Sequence, residues 1–148
     1  MTDLVITRIF DAPRPMVYRA FVDPDQLAAW FGPVGWSVPR DSVSVEAKAG
    51  GHQRFTMVND ADPAQTSPVD ATFTEVIENE LLVGEEDLSG MEAFDGDIMR
   101  MRIEFYDEPG GRTRVVLTQG PYSDEWRTPA NEGWNSSFTK LDALLAAA

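Results

Sequence analysis

Histidine and cysteine, the side chains that most often carry acid–base, nucleophilic and metal chemistry, are nearly absent from this sequence. His52 is the single histidine, and there is no cysteine. Histidine titrates near neutral pH and is therefore the first candidate for a general base. Alternation in "HQRFTMV", however, places His52 opposite Phe55 and Met57, on the polar face of a strand. One histidine is too little for a zinc site or a Ser-His-Asp triad, so we expect no catalytic histidine, no metal and no cofactor.

Carboxylates are abundant, but they are not grouped as a metal site requires. Two pairs of aspartates lie in the Gly- or Pro-containing stretches "NDADPAQTSP" and "SGMEAFDGD", which we interpret as loops. Neither pair is accompanied by the remaining ligands of a calcium-binding loop. Solvated loops are therefore the expected setting of Asp60, Asp62, Asp95 and Asp97.

Glu75 is the carboxylate with a candidate catalytic role. In "TFTEVI" it alternates with Phe73 and Ile77, so the three side chains are expected to share one face of a strand. If that face points inward, Glu75 is a buried carboxylate, which suits a general base. If the face points outward, Glu75 is an ordinary surface charge.

The net charge and the absence of long apolar segments exclude several classes of partner and location. The 148-residue chain carries a net charge of −13 at pH 7. A polyanion is repelled by phosphates, so neither nucleic acid nor an anionic membrane surface is an expected partner. No stretch approaches the roughly 20 apolar residues of a membrane-spanning helix, and the opening "MTDLVITRIF" lacks the features of a secretory signal. We therefore expect an acidic, cytoplasmic protein with a single domain over residues 1–148.

The order of the apolar patterns predicts an α+β domain. A strand is expected over Leu4–Phe10, followed by two short helices that begin near Pro13 and Asp23. Gly32-Pro33 ends the second helix. About six alternating strands follow, the first in "SVSVEAKAGG", and from Thr128 apolar residues recur at helical spacing. This long helix must cover the apolar face of an antiparallel sheet.

Large apolar side chains are concentrated on the faces that these elements should turn inward. The stretch "WFGPVGW" holds three rings, and the methionines of "DIMRMRIEFYDE" alternate with arginines. Such residues are most simply core, but aromatic rings and adaptable methionines also suit an irregular ligand surface. The candidates for binding a small apolar or aromatic molecule are Trp30, Phe31, Trp36, Phe55, Met57, Phe73, Met99, Met101, Ile103, Trp134 and Phe138.

Five stretches, in this order along nearly the whole chain, carry a family resemblance: "FDAPRPMVYRAFVDPDQLAAWFGPVGW", "AKAGGHQRFTM", "TFTEVIENELLV", "GGRTRVVLTQ" and "NEGWNSSFTKLDALL". Together they resemble the START-like helix-grip (SRPBCC) superfamily, and within it the homologues of the ATPase activator of the ninety-kilodalton heat-shock chaperone. The resemblance implies a curved antiparallel sheet of about six to seven strands gripping the long C-terminal helix. It also implies two short helices after the first strand and, often, a cavity between sheet and helix.

Three functions remain open at this point. The resemblance favours binding of a small, largely apolar ligand in the cavity between sheet and helix, and this is the hypothesis we carry forward. Cyclase- or dehydratase-like chemistry in the same cavity, with Glu75 or a tyrosine as the acid–base group, is the second. The third is a protein partner such as the chaperone, although the chain lacks the chaperone-binding domain that precedes this one in the eukaryotic activator.

Overall fold

The computed structural model of the chain describes residues 2–88 and 98–147. In this part of the chain, a first strand is followed by two short helices, seven further strands and a long C-terminal helix. Their bounds are β1 Thr2–Phe10, α1 Arg14–Val22, α2 Pro24–Trp30, β2 Trp36–Ser37, β3 Ser44–Val45, β4 His52–Asn59, β5 Asp62–Ile77, β6 Leu81–Asp87, β7 Ile98–Glu108, β8 Arg112–Tyr122 and α3 Asp124–Ala147.

The described strands form one antiparallel sheet. Its order is β1-β8-β7-β6-β5-β4-β2, and the two-residue β3 also pairs with β4. From β4 to β8, strands that are consecutive in the chain pair with each other, and β1 pairs with β8 at one edge of the sheet. The sheet curls into a half-barrel around α3, so the predicted α+β helix-grip fold is confirmed.

The two short helices begin where the sequence predicted them. Asp23 Oδ1 accepts hydrogen bonds from the backbone N–H groups of Asp25, at 2.9 Å, and Gln26, at 3.2 Å, and Pro24 occupies the first turn of α2. Pro13 is the residue that caps α1. After α2 ends, Gly32 adopts a φ of +94°, which residues with a Cβ rarely do. The chain can therefore turn sharply from helix into the sheet.

Alternation along β7 sorts its side chains between the core and solvent. Met99, Ile103 and Phe105 are buried, whereas Arg100 and Arg102 are exposed. Arg100 Nε donates to Glu85 Oε1 on the neighbouring β6, at 3.1 Å. The period-two pattern therefore predicted this strand and its inward face correctly.

The core lies where α1, α2 and α3 meet the concave face of the sheet. Rings of the three helices and of the sheet pack edge to face: Phe138 of α3 lies 5.3 Å from Phe10 of β1, and Phe21 of α1 lies 5.0 Å from Trp30 of α2, measured between ring centroids. Each of these side chains is at most 2% exposed. The helices are thus fixed against the sheet by aromatic contacts.

The prediction of a loop over residues 59–68 is wrong, because most of this stretch belongs to β5. Strands β4 and β5 run to within two residues of each other, and Pro63 and Pro68 lie inside β5. Only the second half of β5, from Ala71, pairs with β6. The first half is an edge, where a missing proline N–H costs no hydrogen bond to a second neighbour. Prolines therefore marked an edge strand rather than a break.

Two other predicted boundaries are also corrected. The strand expected in "SVSVEAKAGG" is reduced to the two residues of β3. Helix α3 begins at Asp124, before the predicted Thr128, with Asp124 and Glu125 in its first turn. Acidic side chains favour a helix N-terminus, and the apolar pattern starts later because this first turn is exposed, with Trp126 43% accessible. The loop predicted at 89–97, with Asp95 and Asp97, lies outside the described residues.

Candidate functional site

A pocket of about 230 Å³ opens between the concave face of the sheet and α3. Strands β4 to β8 supply its floor, and the segment after α2 and one face of α3 supply its walls. Most of the lining side chains are apolar. Seven of the residues predicted to bind a ligand lie here: Phe31, Phe55, Met57, Phe73, Met99, Met101 and Trp134.

The other four predicted residues lie elsewhere. Trp30, Ile103 and Phe138 belong to the packed core and are at most 2% exposed. Ile103 borders only a small void of about 10 Å³, and Trp36 lies half-buried on β2. Periodicity identifies the inward face of an element, but not how closely the opposite layer approaches it, so it did not separate pocket from core.

Trp134 forms the α3 side of the pocket and is held there by a polar contact. Its Nε1–H donates to Gln119 Oε1 on β8, at 2.7 Å, and the same oxygen accepts from the Tyr122 hydroxyl, at 2.8 Å. The indole ring also meets Phe31 edge to face, with centroids 5.4 Å apart. The wall is therefore fixed in position, although Trp134 remains partly accessible.

The segment 31–36, which contains most of "WFGPVGW", is fastened to α3 by two side chains. Lys140 Nζ donates to the carbonyl oxygens of Gly32 (3.0 Å) and Trp36 (3.1 Å), with a longer contact of 3.4 Å to that of Phe31. Ser136 Oγ accepts from the backbone N–H of Val34, at 2.8 Å. Burial lowers the pKa of Lys140, and the charge of Asp60 partly opposes this. These bonds fix the pocket wall that Phe31 provides.

Six polar side chains of the pocket lining were not predicted: Gln53, Glu85, Glu86, Gln119, Tyr122 and Ser137. Glu86 lies on β6, and its Oε2 accepts a hydrogen bond from the backbone N–H of Asp70, at 2.8 Å. Burial raises the pKa of Glu86; the Asp70 N–H lowers it, and the Asp70 charge raises it. Burial, and then the charge of Glu86, raise the pKa of Tyr122 well above its ordinary value. Tyr122 is therefore a neutral hydroxyl at physiological pH.

The alternation of residues before Glu86 is consistent with an inward-facing side chain. In "LLVGEE", Leu82, Gly84 and Glu86 follow one another at period two. Leu82 is buried, and both later residues line the pocket. A carboxylate that shares a strand face with a buried leucine is a candidate for an inward-facing charge.

Glu75 does not lie in the pocket, so the inward-facing alternative for this residue is wrong. The ladder between β5 and β6 is interrupted by a bulge between Phe73 and Glu75. Phe73 is buried, whereas Glu75 is exposed and Ile77 is 44% accessible. A bulge inserts one extra residue and so moves the following side chains to the other face.

His52 occupies the position that alternation predicted, away from Phe55. Its Nε2 lies 2.7 Å from Ser44 Oγ on β3. Neither residue lines the pocket. Across residues 2–88 and 98–147, no group of three or more His, Cys, Asp or Glu side chains could hold a metal ion. No helix in the same ranges is long and apolar enough to cross a membrane.

Comparisons with known proteins agree with this architecture. The family model described as "Activator of Hsp90 ATPase homolog 1-like protein" matches residues 11–146. The crystal structure of protein CV1439 from Chromobacterium violaceum is 24% identical, with a TM-score of 0.83, over 97% of this chain and 96% of that one. The AHSA1 protein from Silicibacter pomeroyi is 26% identical, with a TM-score of 0.79, over 98% of each chain. No curated protein gives a significant match to the sequence.

Proposed function

Since this chain belongs to the Activator of Hsp90 ATPase homolog 1-like protein family, we propose that it binds a small, largely apolar molecule in the pocket between the sheet and α3. The observation that carries the proposal is the composition of the walls. Rings and methionines, among them Phe31, Phe55, Met101 and Trp134, surround an open space instead of filling it. Pockets for small molecules are typically apolar and carry a few polar groups that orient the ligand.

The size of the pocket supports a ligand of one or two rings. An engineered apolar cavity of about 150 Å³ in another protein binds benzene. The present pocket, at about 230 Å³, is larger and also open to solvent. Methionines can adjust to the outline of a bound molecule because their side chains are flexible and polarisable. A two-ring aromatic body is therefore a suitable first probe.

Gly133 allows the pocket to be filled without disturbing the core. It lies on α3 in the pocket lining, and a Cβ added there would have no heavy atom within 4 Å apart from its chain neighbours and the backbone of its own helix. We expect Gly133→Leu to fold, because replacing a mid-helix glycine also favours the helix. Its larger side chain should occupy the space that a ligand needs and should weaken binding of 1-naphthalenemethanol at least about tenfold, equivalent to roughly 1.4 kcal/mol.

The matched control is Gly133→Ala, which adds only a methyl group. It should bind 1-naphthalenemethanol nearly as the parent does and should be more stable by about 0.5–1 kcal/mol. Binding is measured by quenching of tryptophan fluorescence and by the ligand-induced rise in melting temperature. Equal binding by the leucine variant and the parent would place the ligand elsewhere, and no binding by the parent would remove the support for the proposal.

The two other hypotheses have less support. Catalysis through Glu75 would need its carboxylate in the pocket, but that side chain is exposed on the other side of a bulge. A chaperone partner rests on the family's description alone. Gly133→Leu also separates these possibilities, because a partner bound to the protein surface should be unaffected by a change inside the pocket.

A further inference from the structure

The charges that line the pocket are all of one sign. Among the described residues, its lining contains the carboxylates of Glu85 and Glu86 and no lysine, arginine or histidine. Glu85 is already paired, since its Oε1 accepts from Arg100 Nε at 3.1 Å. Glu86 is therefore the carboxylate whose charge the pocket must accommodate.

Glu86 has hydrogen-bond capacity left for a ligand. Its Oε2 accepts from the Asp70 N–H, and no cationic side chain of the described residues lies within 4 Å of either oxygen. A carboxylate has about four acceptor positions. Asp70 is itself an anion and Tyr122 is neutral, so neither balances the charge. A half-buried anion with no cation beside it among the described residues is in an unfavourable state, which a bound cation would relieve.

The rings of the pocket add a second attraction for positive charge. Phe31, Phe55 and Trp134 lie together, with centroid separations of 4.6 Å and 5.4 Å from Phe31. The face of an aromatic ring attracts a cation electrostatically, most strongly for tryptophan. The same pocket is unfavourable for an anion, which would meet Glu86 and the net charge of −13.

We propose that the ligand is a small cation with an apolar body, an aromatic or branched amine whose protonated nitrogen binds Glu86 while its body lies against Phe55, Met101 and Trp134. This inference rests on the proposed function, because it assigns a chemical class to the ligand of the same pocket. Fatty acids and other anionic amphiphiles are therefore not expected to bind in this pocket.

Three probes with one ring system test the charge preference at pH 7: 1-naphthylmethylamine, which is a cation, 1-naphthalenemethanol, which is neutral, and 1-naphthoate, which is an anion. We expect the amine to bind about tenfold more tightly than the alcohol, because only the amine carries a positive charge, which the Glu86 carboxylate and the ring faces attract. Naphthoate should bind most weakly. Equal affinities for all three would overturn the inference and leave the proposed function standing, whereas failure of all three would count against the proposed function itself.

Two isosteric variants assign the preference to one side chain. Glu86→Gln keeps an oxygen for the Asp70 N–H and removes the charge, so the amine should lose most of its tenfold advantage over the alcohol. Glu75→Gln makes the same change of net charge at an exposed position outside the pocket and should keep the advantage. If both variants behave alike, the preference comes from overall charge, and the assignment to Glu86 fails. Thermal melts of both variants confirm that they are folded.

Discussion

Two regions along α3 contain similar side chains but differ in how completely those side chains are packed. At the packed end, rings are buried at 0–2% exposure: Phe10, Phe21, Trp30 and Phe138. At the pocket end, partly exposed side chains surround an open space: Phe31, Met57, Met101 and Trp134. Centroid distances do not separate the two ends, at 5.3 Å for Phe10–Phe138 and 5.4 Å for Phe31–Trp134. What differs is whether the remaining faces of the rings are covered.

The transition between the two ends takes one turn of helix. Trp134 and Phe138 are four residues apart on the same stripe of α3, and their rings lie 5.7 Å apart. Phe138 is 1% exposed, whereas Trp134 is partly accessible and borders the pocket. An apolar stripe on a helix can thus serve as core at one turn and as ligand wall at the next.

The largest expected effect is at Trp30, in the packed end. Trp30 is fully buried, and its Nε1–H donates to the Ala20 carbonyl at 2.8 Å. The residue four positions after Ala20 is Pro24, which has no N–H, so the indole satisfies a carbonyl that the helix cannot. We expect Trp30→Ala to lower the free energy of unfolding by about 3–5 kcal/mol.

Denaturant melts measure this change. The same substitution at Trp126, which is 43% exposed, is the control and should change stability by no more than about 0.5 kcal/mol. A loss below about 2 kcal/mol at Trp30 would mean that the packed end tolerates a cavity and does not differ from the pocket end.

Trp134→Ala should be less destabilising, because one side of this ring already faces open space. We expect a loss of about 1–3 kcal/mol, since contacts that are absent in the parent cannot be lost. The pocket should become larger, so the affinity should shift in favour of 9-anthracenemethanol over 1-naphthalenemethanol. A loss above about 4 kcal/mol with no change in ligand preference would make Trp134 ordinary core and would move the function to the protein surface.

The contrast between the packed end and the pocket end also shows which features of the structure could be predicted from the sequence. Alternation in β7 and the stripe on α3 determine which side chains face inward, and they predicted a long helix over an antiparallel sheet, whereas the helix-grip fold was implied by the family resemblance. They did not distinguish Trp134 from Phe138, because that depends on the curl of the sheet. Glu75 was misplaced by a bulge that shifts the alternation by one residue. Glu86 was missed because Leu81 and Leu82 are both buried, so the alternation does not tell which of Glu85 and Glu86 faces inward.

Lys140 links the two ends, and its removal should loosen the pocket end selectively. Its ammonium group donates to carbonyls of the segment that carries Phe31. Lys140→Met keeps the apolar stem but removes these bonds, so we expect a loss of about 1–2 kcal/mol and weaker binding of 1-naphthalenemethanol. Lys48→Met is the control, because Lys48 is 69% exposed and its ammonium group pairs with Glu46, outside the segment that carries Phe31. Equal stability and binding in the two variants would contradict a role for Lys140 in holding the wall.

The smallest expected effect is at Glu86 and appears as a dependence on pH. Burial raises the pKa of Glu86 in the folded protein, while the Asp70 N–H partly opposes and the Asp70 charge reinforces this. A raised pKa means that the folded state binds the proton more tightly than the unfolded chain. The resulting stability is fully present below the unfolded pKa of a glutamate and is lost as the pH rises through the folded pKa. At neutral pH, the charged side chain is therefore a cost that Glu86→Gln removes.

We expect Glu86→Gln and the parent to be equally stable near pH 3.5 and to diverge as the pH rises to 7. At pH 7 the variant should be the more stable by less than about 1 kcal/mol, because the carboxylate is only half-buried and solvent screens it. Asp70 and the paired Glu85 are unchanged in the variant, so the difference between the two pH profiles isolates Glu86. Denaturant melts at each pH measure it, and Glu75→Gln, which removes the same charge from an exposed position, is the control. If the profile for Glu86→Gln does not differ from that of the control, water solvates its carboxylate as it does a surface charge, and the pocket then has no electrostatic reason to prefer a cation.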